Sequence, residues 1–241
     1  MKILAKRLVT YLTNEDLFNA VTQVTDVLGS AEKDAEKKIY SNVLDPFSAI
    51  FEAIYFEMDL SDWIKKEKSR QTQKTMQNRI GEFHQRIIGS VRGWENLGTG
   101  RIMDVINKEK KIVAEIKNKF NTTKGNHKKI VYDDLEEFLG RNAGFTAYYV
   151  EIIPQGAKRY NKPFEPSDNV SKQRRKKNKK IRVIDGYSFY ELVTGEKEAL
   201  AKLYKALPEA IAFVSQHASQ YASHDKHFDD LFKRAFGVDI F

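Results

Sequence analysis

The sequence predicts an α/β (α+β) fold, a mixed sheet covered by helices with helical additions at both ends, and three features of the chain predict it. Apolar residues recur at helical spacing through the first ninety residues. From Gly93 the texture changes to short apolar stretches cut by glycine and polar turns. Beyond residue 185 helical spacing returns.

Asn14 suits the N-cap of EDLFNAVTQVTDVL, with Gly29 as the glycine that closes that helix. Asp45-Pro46 starts a second helix, and the apolar, strongly aromatic run FSAIFEAIYF is expected in the core. After Ser61 helical spacing continues and sets Ile80, Phe83, Ile87 and Ile88 on one stripe, which should pack on a sheet. GWENLGTG, RIMDVI and IVAEIKNKF read as strands, the last two joined by the turn NKEKK. VYDDLEEFLGR reads as a helix ending at Gly140, and TAYYVEIIP as a strand rich in aromatic and β-branched residues. Residues 155–180 read as a long polar loop or mobile arm, and IRVIDG as a short strand. SFYELVTG, EKEALAKLYKALPEAIAFVSQHASQYA and HFDDLFKRAF read as helices. No repeat or linker divides the chain, so residues 1–241 are expected to form one domain. Within it 1–90 is mainly helical, 91–154 carries the central strands and helix, 155–185 is a basic arm and 186–241 is helical.

With 41% hydrophobic and 31% charged residues, the 241-residue chain has the composition of a folded globular protein. There is no cysteine, which excludes disulfides, thiolate zinc sites and a cysteine nucleophile, so any metal must be held by oxygen or imidazole. No run approaches the roughly 20 apolar residues that span a bilayer, and MKILAKRLVTYLTNEDL turns polar before a leader-like core develops. The expectation is a cytoplasmic protein with no membrane partner. A net charge of +8 favours a polyanionic partner.

The chemistry concentrates in RIMDVINKEKKIVAEIKNKF. Side chains alternate along a strand, so Glu115 and Lys117 project to one side, while Ala114 and Ile116 point to the other. If NKEKK reverses the chain, Asp104 comes near Glu115 and a paired-carboxylate site results. Such a pair can hold a hard cation, with the main-chain carbonyl of Ile116 as a third ligand and Lys117 beside it to orient or deprotonate a water. Glu36-Lys37-Lys38 and Glu109-Lys110-Lys111 match Glu-x-Lys too, but lie in a polar helix and in the turn. Glu115 and Lys117 interrupt an apolar strand, where burying a charge is costly. A surface hairpin with a cross-strand salt bridge is the competing reading of the same residues.

The stretch IGEFHQRIIGSVRGWENLGTGRIMDVINKEKKIVAEIKNKFNTTKG resembles the catalytic region of type II restriction endonucleases of the PD-(D/E)XK kind, in particular those cutting GG-N-CC or GG-W-CC sites. NKPFEPSDN and IDGYSFYELVTGEKEALAKLYKALP resemble the same group, and the likeness covers roughly residues 45 to 210. It implies a PD-(D/E)XK core, a mixed sheet flanked by helices in the order helix, three strands, helix, strand, which the periodicity shows independently. It also implies Asp104, Glu115 and Lys117 as catalytic residues and Mg2+ as cofactor, with Mn2+ able to substitute. The metal would rest on Asp104, Glu115 and the Ile116 carbonyl, with Glu82 in the first core helix as an added acid. Met103 stands where the family signature has proline. The implied reaction is hydrolysis of double-stranded DNA at a short GC-rich palindrome, leaving 5'-phosphate and 3'-hydroxyl ends, by a homodimer in a bacterial or archaeal cell.

Residues 172 to 182, KQRRKKNKKIR, carry eight basic residues and no acid, a density suited to phosphates or else to a solvated loop. Lys158, Arg159, Lys172, Arg174, Arg175, Lys176, Lys177, Lys179, Lys180 and Arg182 are the DNA-binding candidates, with the arginines and Lys158 suited to guanine edges. GNHKKIVY, residues 125 to 132, is a second basic stretch that can approach the backbone near the cut. His224 and His227 lie three apart without a third ligand, which favours a solvated helix end, and His84 belongs to core or interface. No Walker or Rossmann glycine spacing appears, so no nucleotide cofactor is expected. A repair or recombination nuclease of the same fold, and a non-catalytic DNA-binding module, remain as alternative functions.

Overall fold

The structure, a computed structural model, describes residues 6–38, 44–98, 102–123, 125–168, 173–215 and 226–240. Helices α1 (Asn14–Lys38), α2 (Pro46–Tyr55) and α3 (Leu60–Gly89) come first. Strands β1 (Glu95–Asn96), β2 (Val105–Asn107) and β3 (Ile112–Lys119) follow, then α4 (Gly125–Arg141) and β4 (Thr146–Ile153). A 3-10 turn (Gln155–Ala157) leads to β5 (Asn161–Pro163) and β6 (Ile181–Asp185). The chain ends in α5 (Gly186–Thr194), α6 (Ala199–Ser215) and α7 (Lys226–Phe236). The expected α/β class and the order helix, three strands, helix, strand are both present.

The sheet has six strands in the order β1-β2-β3-β4-β6-β5. β1, β2 and β3 form an antiparallel meander, with Val105 opposite Ala114 and Ile106 opposite Val113. β3, β4 and β6 run parallel, because α4 and the segment after β4 cross over between them. β5 adds an antiparallel edge on β6. Alternation along β3 divides the core between the two faces. Ala114 and Ile116 pack with Phe83, Ile87 and Ile88 of α3 and with α1, α5, α6 and α7, which places three residues of the predicted α3 stripe on the sheet, while Ile80 lies outside this cluster. Val113 packs on the other face with Val131, Tyr132 and Leu135 of α4. A Cβ at Gly89 would lie 2.5 Å from that of Asn96, so the bare glycine lets the end of α3 close onto β1.

The structure moves several expected boundaries. α1 continues through Gly29 to Lys38, and Gly140 lies inside α4, since a glycine weakens a helix without ending it when the surrounding residues still pack. Thr13, not Asn14, caps α1: its hydroxyl accepts from Asp16 N–H at 3.1 Å, while the Asn14 amide turns back to Leu8 and Lys6. Asp45 caps α2 as expected, accepting from Phe47 N–H at 3.0 Å, with Pro46 in the first turn. The larger correction concerns the α2 run itself, which is not core: no residue of α2 is buried. The arm is likewise folded rather than loose where it is described. It supplies β5, a bridge pairs Ser167 with Arg174, and Asp168 N–H donates to the Gln173 carbonyl at 2.8 Å.

Candidate active site

The antiparallel register that sets Val105 opposite Ala114 brings Asp104, just before β2, opposite Glu115. Asp104 N–H donates to the Ala114 carbonyl at 3.0 Å, and Ile116 N–H donates to Asp104 Oδ2 at 2.6 Å. Lys117 Nζ lies 2.6 Å from Glu115 Oε1, as alternation along β3 requires. Both side chains are largely buried, at 26% and 12% exposure. The Ile116 carbonyl shares the strand edge of its N–H and therefore opens toward Asp104, beyond the last rung of β2.

The electrostatics are those of two acids competing for one place. Burial raises the Glu115 carboxyl to about 7, the neighbouring Asp104 charge adds to the rise, and Lys117 opposes it. Burial also raises Asp104, against the Ile116 N–H, the Lys117 cation and hydrogen bonds from Glu115 and Gln85. Both carboxyls thus hold a proton more tightly than free acids do, and a cation between them would relieve the competition that a proton otherwise relieves.

Two buried carboxylates and a main-chain carbonyl form an all-oxygen donor set that fits magnesium, which takes one or two carboxylates and fills its octahedron with water. Calcium, which wants six to eight ligands, fits it less well. Among the described residues no group of three or more Asp, Glu or His side chains is gathered. Glu82 is turned away into an ion pair with Arg79 at 2.5 Å, and Gln85, three residues on, reaches Asp104 instead.

Sequence reasoning missed a second polar cluster beside the first. Glu151 on β4 is the register neighbour of Lys117 and only 5% exposed. Lys128 of α4 lies 2.6 Å from it and Tyr160 O–H also donates to it. Glu151 interrupts the apolar strand TAYYVEIIP just as Glu115 interrupts β3, so the signal that marked one was present for the other. The stretch 125–132 forms the first turns of α4, with Lys128 bound to Glu151.

The basic candidates separate into two groups. Lys158, Lys176, Lys177, Lys179 and Lys180 are exposed. Arg159 is bound to Glu191 and lies 4.8 Å over the Tyr187 ring, Arg175 to Asp133, and Arg182 to both the side chain and carbonyl of Asn161. Arg174 donates to the Glu165 carbonyl at 3.1 Å. Lys172 lies outside the described residues, as do His224 and Asp225. His84 is core: its Nδ1 lies 2.8 Å from Tyr190 O–H, and burial lowers its pKa to about 4. Among the described residues no helix is long and apolar enough to cross a membrane.

Comparison with known proteins identifies the family. The family model described as Eco47II restriction endonuclease matches residues 9–215. The chain is 43% identical over 238 residues to the type II restriction enzyme Eco47II of Escherichia coli, covering 96% of this chain and 98% of that one. It is 29% identical over 215 residues to the type II restriction enzyme Sau96I of Staphylococcus aureus, covering 86% and 81%. No solved structure matches.

Proposed function

The chain belongs to the Eco47II restriction endonuclease family and is a type II restriction enzyme, and on that premise we propose that Asp104, Glu115 and Lys117 hydrolyse DNA phosphodiesters with magnesium. Manganese would serve as a substitute. The observation that carries this reading is the meeting of two buried carboxylates with the Lys117 ammonium on one hairpin.

Magnesium held by Asp104, Glu115 and the Ile116 carbonyl would neutralise charge on the scissile phosphate and lower the pKa of a water. The protein supplies the rest. Ile116 N–H and Gln85 fix the Asp104 carboxylate. Lys117, aligned by Glu115 and flanked by Glu151, faces the phosphate as a cation and orients the attacking water, whose proton passes to solvent. Water adds to phosphorus as the bond to the 3'-oxygen breaks, a solvent water protonates that oxygen, and the products are a 5'-phosphate and a 3'-hydroxyl. No nucleotide takes part.

The exposed lysines at 158, 176, 177, 179 and 180 are suited to phosphate contacts, which give affinity without specificity. Arg174 is the arginine with the loosest tether, a single bond to a carbonyl. The substrate is a short GC-rich palindrome, and a homodimer matches its two-fold symmetry with one site per strand.

Digestion of a plasmid of known sequence with magnesium, with EDTA and with Asp104→Ala tests this. Discrete magnesium-dependent fragments absent from the variant are expected. A smear would assign the fold to repair or recombination, and tight binding without cleavage would make the chain a DNA-binding module.

A further inference from the structure

We propose that the outward face of α2 is the surface on which two copies of this chain pair, an inference that rests on the two-copy reading above. α2 packs against α3 with its small side, through half-buried Ser48, Ala49 and Ala53. Its large apolar residues point away. Phe47, Ile50, Phe51 and Ile54 follow the spacing of one helical face, and Phe47, Phe51, Ile54 and Tyr55 are 72%, 74%, 72% and 82% exposed. Phe56 and Leu60 extend the patch into the α2–α3 connection.

The hairpin is built to hold this face out. Trp63 is 3% exposed, Arg70 stacks 5.8 Å from its ring, and Arg70 and Lys66 both bind Glu52 of α2, at 2.7 and 3.0 Å. Along α3 no residue between Trp63 and Phe83 is buried. A segment of that length rises roughly 30 Å, so α2 lies far along α3, which α1 accompanies, from the end that packs on the sheet.

Size and charge choose the occupant. At the area aromatic and aliphatic side chains offer, the patch presents about 900 Å², close to the roughly 800 Å² that each partner gives to a stable protein interface. Monomers rarely expose a contiguous apolar patch this large. Residues 45–62 carry Asp45, Glu52, Glu57, Asp59 and Asp62 and no Lys or Arg, although the chain as a whole has net charge +8. The neighbouring cations Lys65, Lys66 and Arg70 are each paired with an acid of the same chain, Lys65 with Asp62 and the other two with Glu52. The patch therefore offers apolar area rather than free cations, which suits a protein surface better than phosphate. A two-fold axis through the patch sets the apolar face of each α2 on that of the other, the self-complementarity an isologous contact needs.

Sedimentation equilibrium of the full chain without DNA, from nanomolar to tens of micromolar, is the test. Wild type is expected at twice the 27.9 kDa chain mass. Phe51→Asp combined with Ile54→Asp is expected to weaken pairing at least about 100-fold while leaving the circular dichroism unchanged. Pairing at wild-type strength in this variant overturns the proposal. So does a wild type that stays single at every concentration, which leaves the face to a different protein, or a variant that unfolds, which shows the face covered by its own chain. Because the sequence has no cysteine, Phe51→Cys or Ile54→Cys places one thiol per chain. A short bismaleimide should then link two chains at low micromolar protein, and no linkage from either position also overturns the proposal. Asp104→Ala is expected to pair normally without cutting, so failure of the α2 face and failure of the catalytic reading give different results.

Discussion

β3 and α2 break the rule of burial in opposite directions. β3 holds Glu115 and Lys117 largely out of water in the middle of the sheet, while α2 holds two phenylalanines and a tyrosine in it. Each exception is costly if the chain acts alone, and each is relieved by something from outside it: a cation and a phosphate for β3, a second apolar surface for α2. The comparison teaches that function is best sought where the pattern of burial disagrees with residue type.

The largest effect that sharpens the contrast is expected at Asp104. Asp104→Asn keeps the hairpin but removes a charge from the pair, and the single-turnover cleavage rate should fall on the order of 10³-fold. An unchanged rate would leave β3 as a salt-bridged hairpin.

The second effect is thermodynamic. The folded Glu115 carboxyl is raised to about 7, above its ordinary value of 4.5, so the folded protein binds this proton more tightly than the unfolded chain. Stability is therefore fully present below the ordinary carboxylate range and is lost as pH rises through about 7, by about 3 kcal/mol. Urea unfolding in EDTA between pH 4.5 and 8, read as the difference between wild type and Glu115→Gln so that the opposing titration of His84 cancels, checks this, and saturating magnesium should reverse the loss at the alkaline end. A flat difference in EDTA would show that the acids are not in competition.

Gln85→Ala is expected to be milder, lowering cleavage about 10- to 100-fold, as removal of a group that orients a metal ligand does. Glu82→Gln, which breaks a partly exposed ion pair, should cost less than Gln85→Ala; the reverse order would assign the helix contribution to Glu82. The smallest effect is expected from α2. In dilute, unpaired protein Phe51→Asp should change unfolding free energy by no more than about 0.5 kcal/mol, as exposed positions do. A loss of several kcal/mol would make α2 core after all.

Much of the site was legible because it depends on short-range rules. Two charges two apart in an apolar strand share a face wherever that strand goes, and NKEKK is a turn by its own composition. Glu82 pairs with Arg79, a contact that could not be read in advance because helical spacing gives the stripe Phe83, Ile87, Ile88 without giving the rotation of the polar residues around it. Gln85 reaches Asp104 only once that stripe is seated on β3. The arm's arginines were beyond local rules for a related reason: Arg175 and Arg182 lie in the basic run and Arg159 before it, yet each finds a partner far along the chain.

The sequence by itself determined the α/β class, the helix starting at Asp45-Pro46, the β2–β3 hairpin and the pairing of Glu115 with Lys117, because these follow from periodicity, capping and turn chemistry within a few residues. Tertiary structure decided that Gln85 rather than Glu82 meets Asp104, that Glu151 stands beside Lys117, and that α2 faces outward. Those outcomes depend on which surfaces meet across long stretches of chain, and an apolar stripe reads the same whether its partner lies in the same molecule or in another.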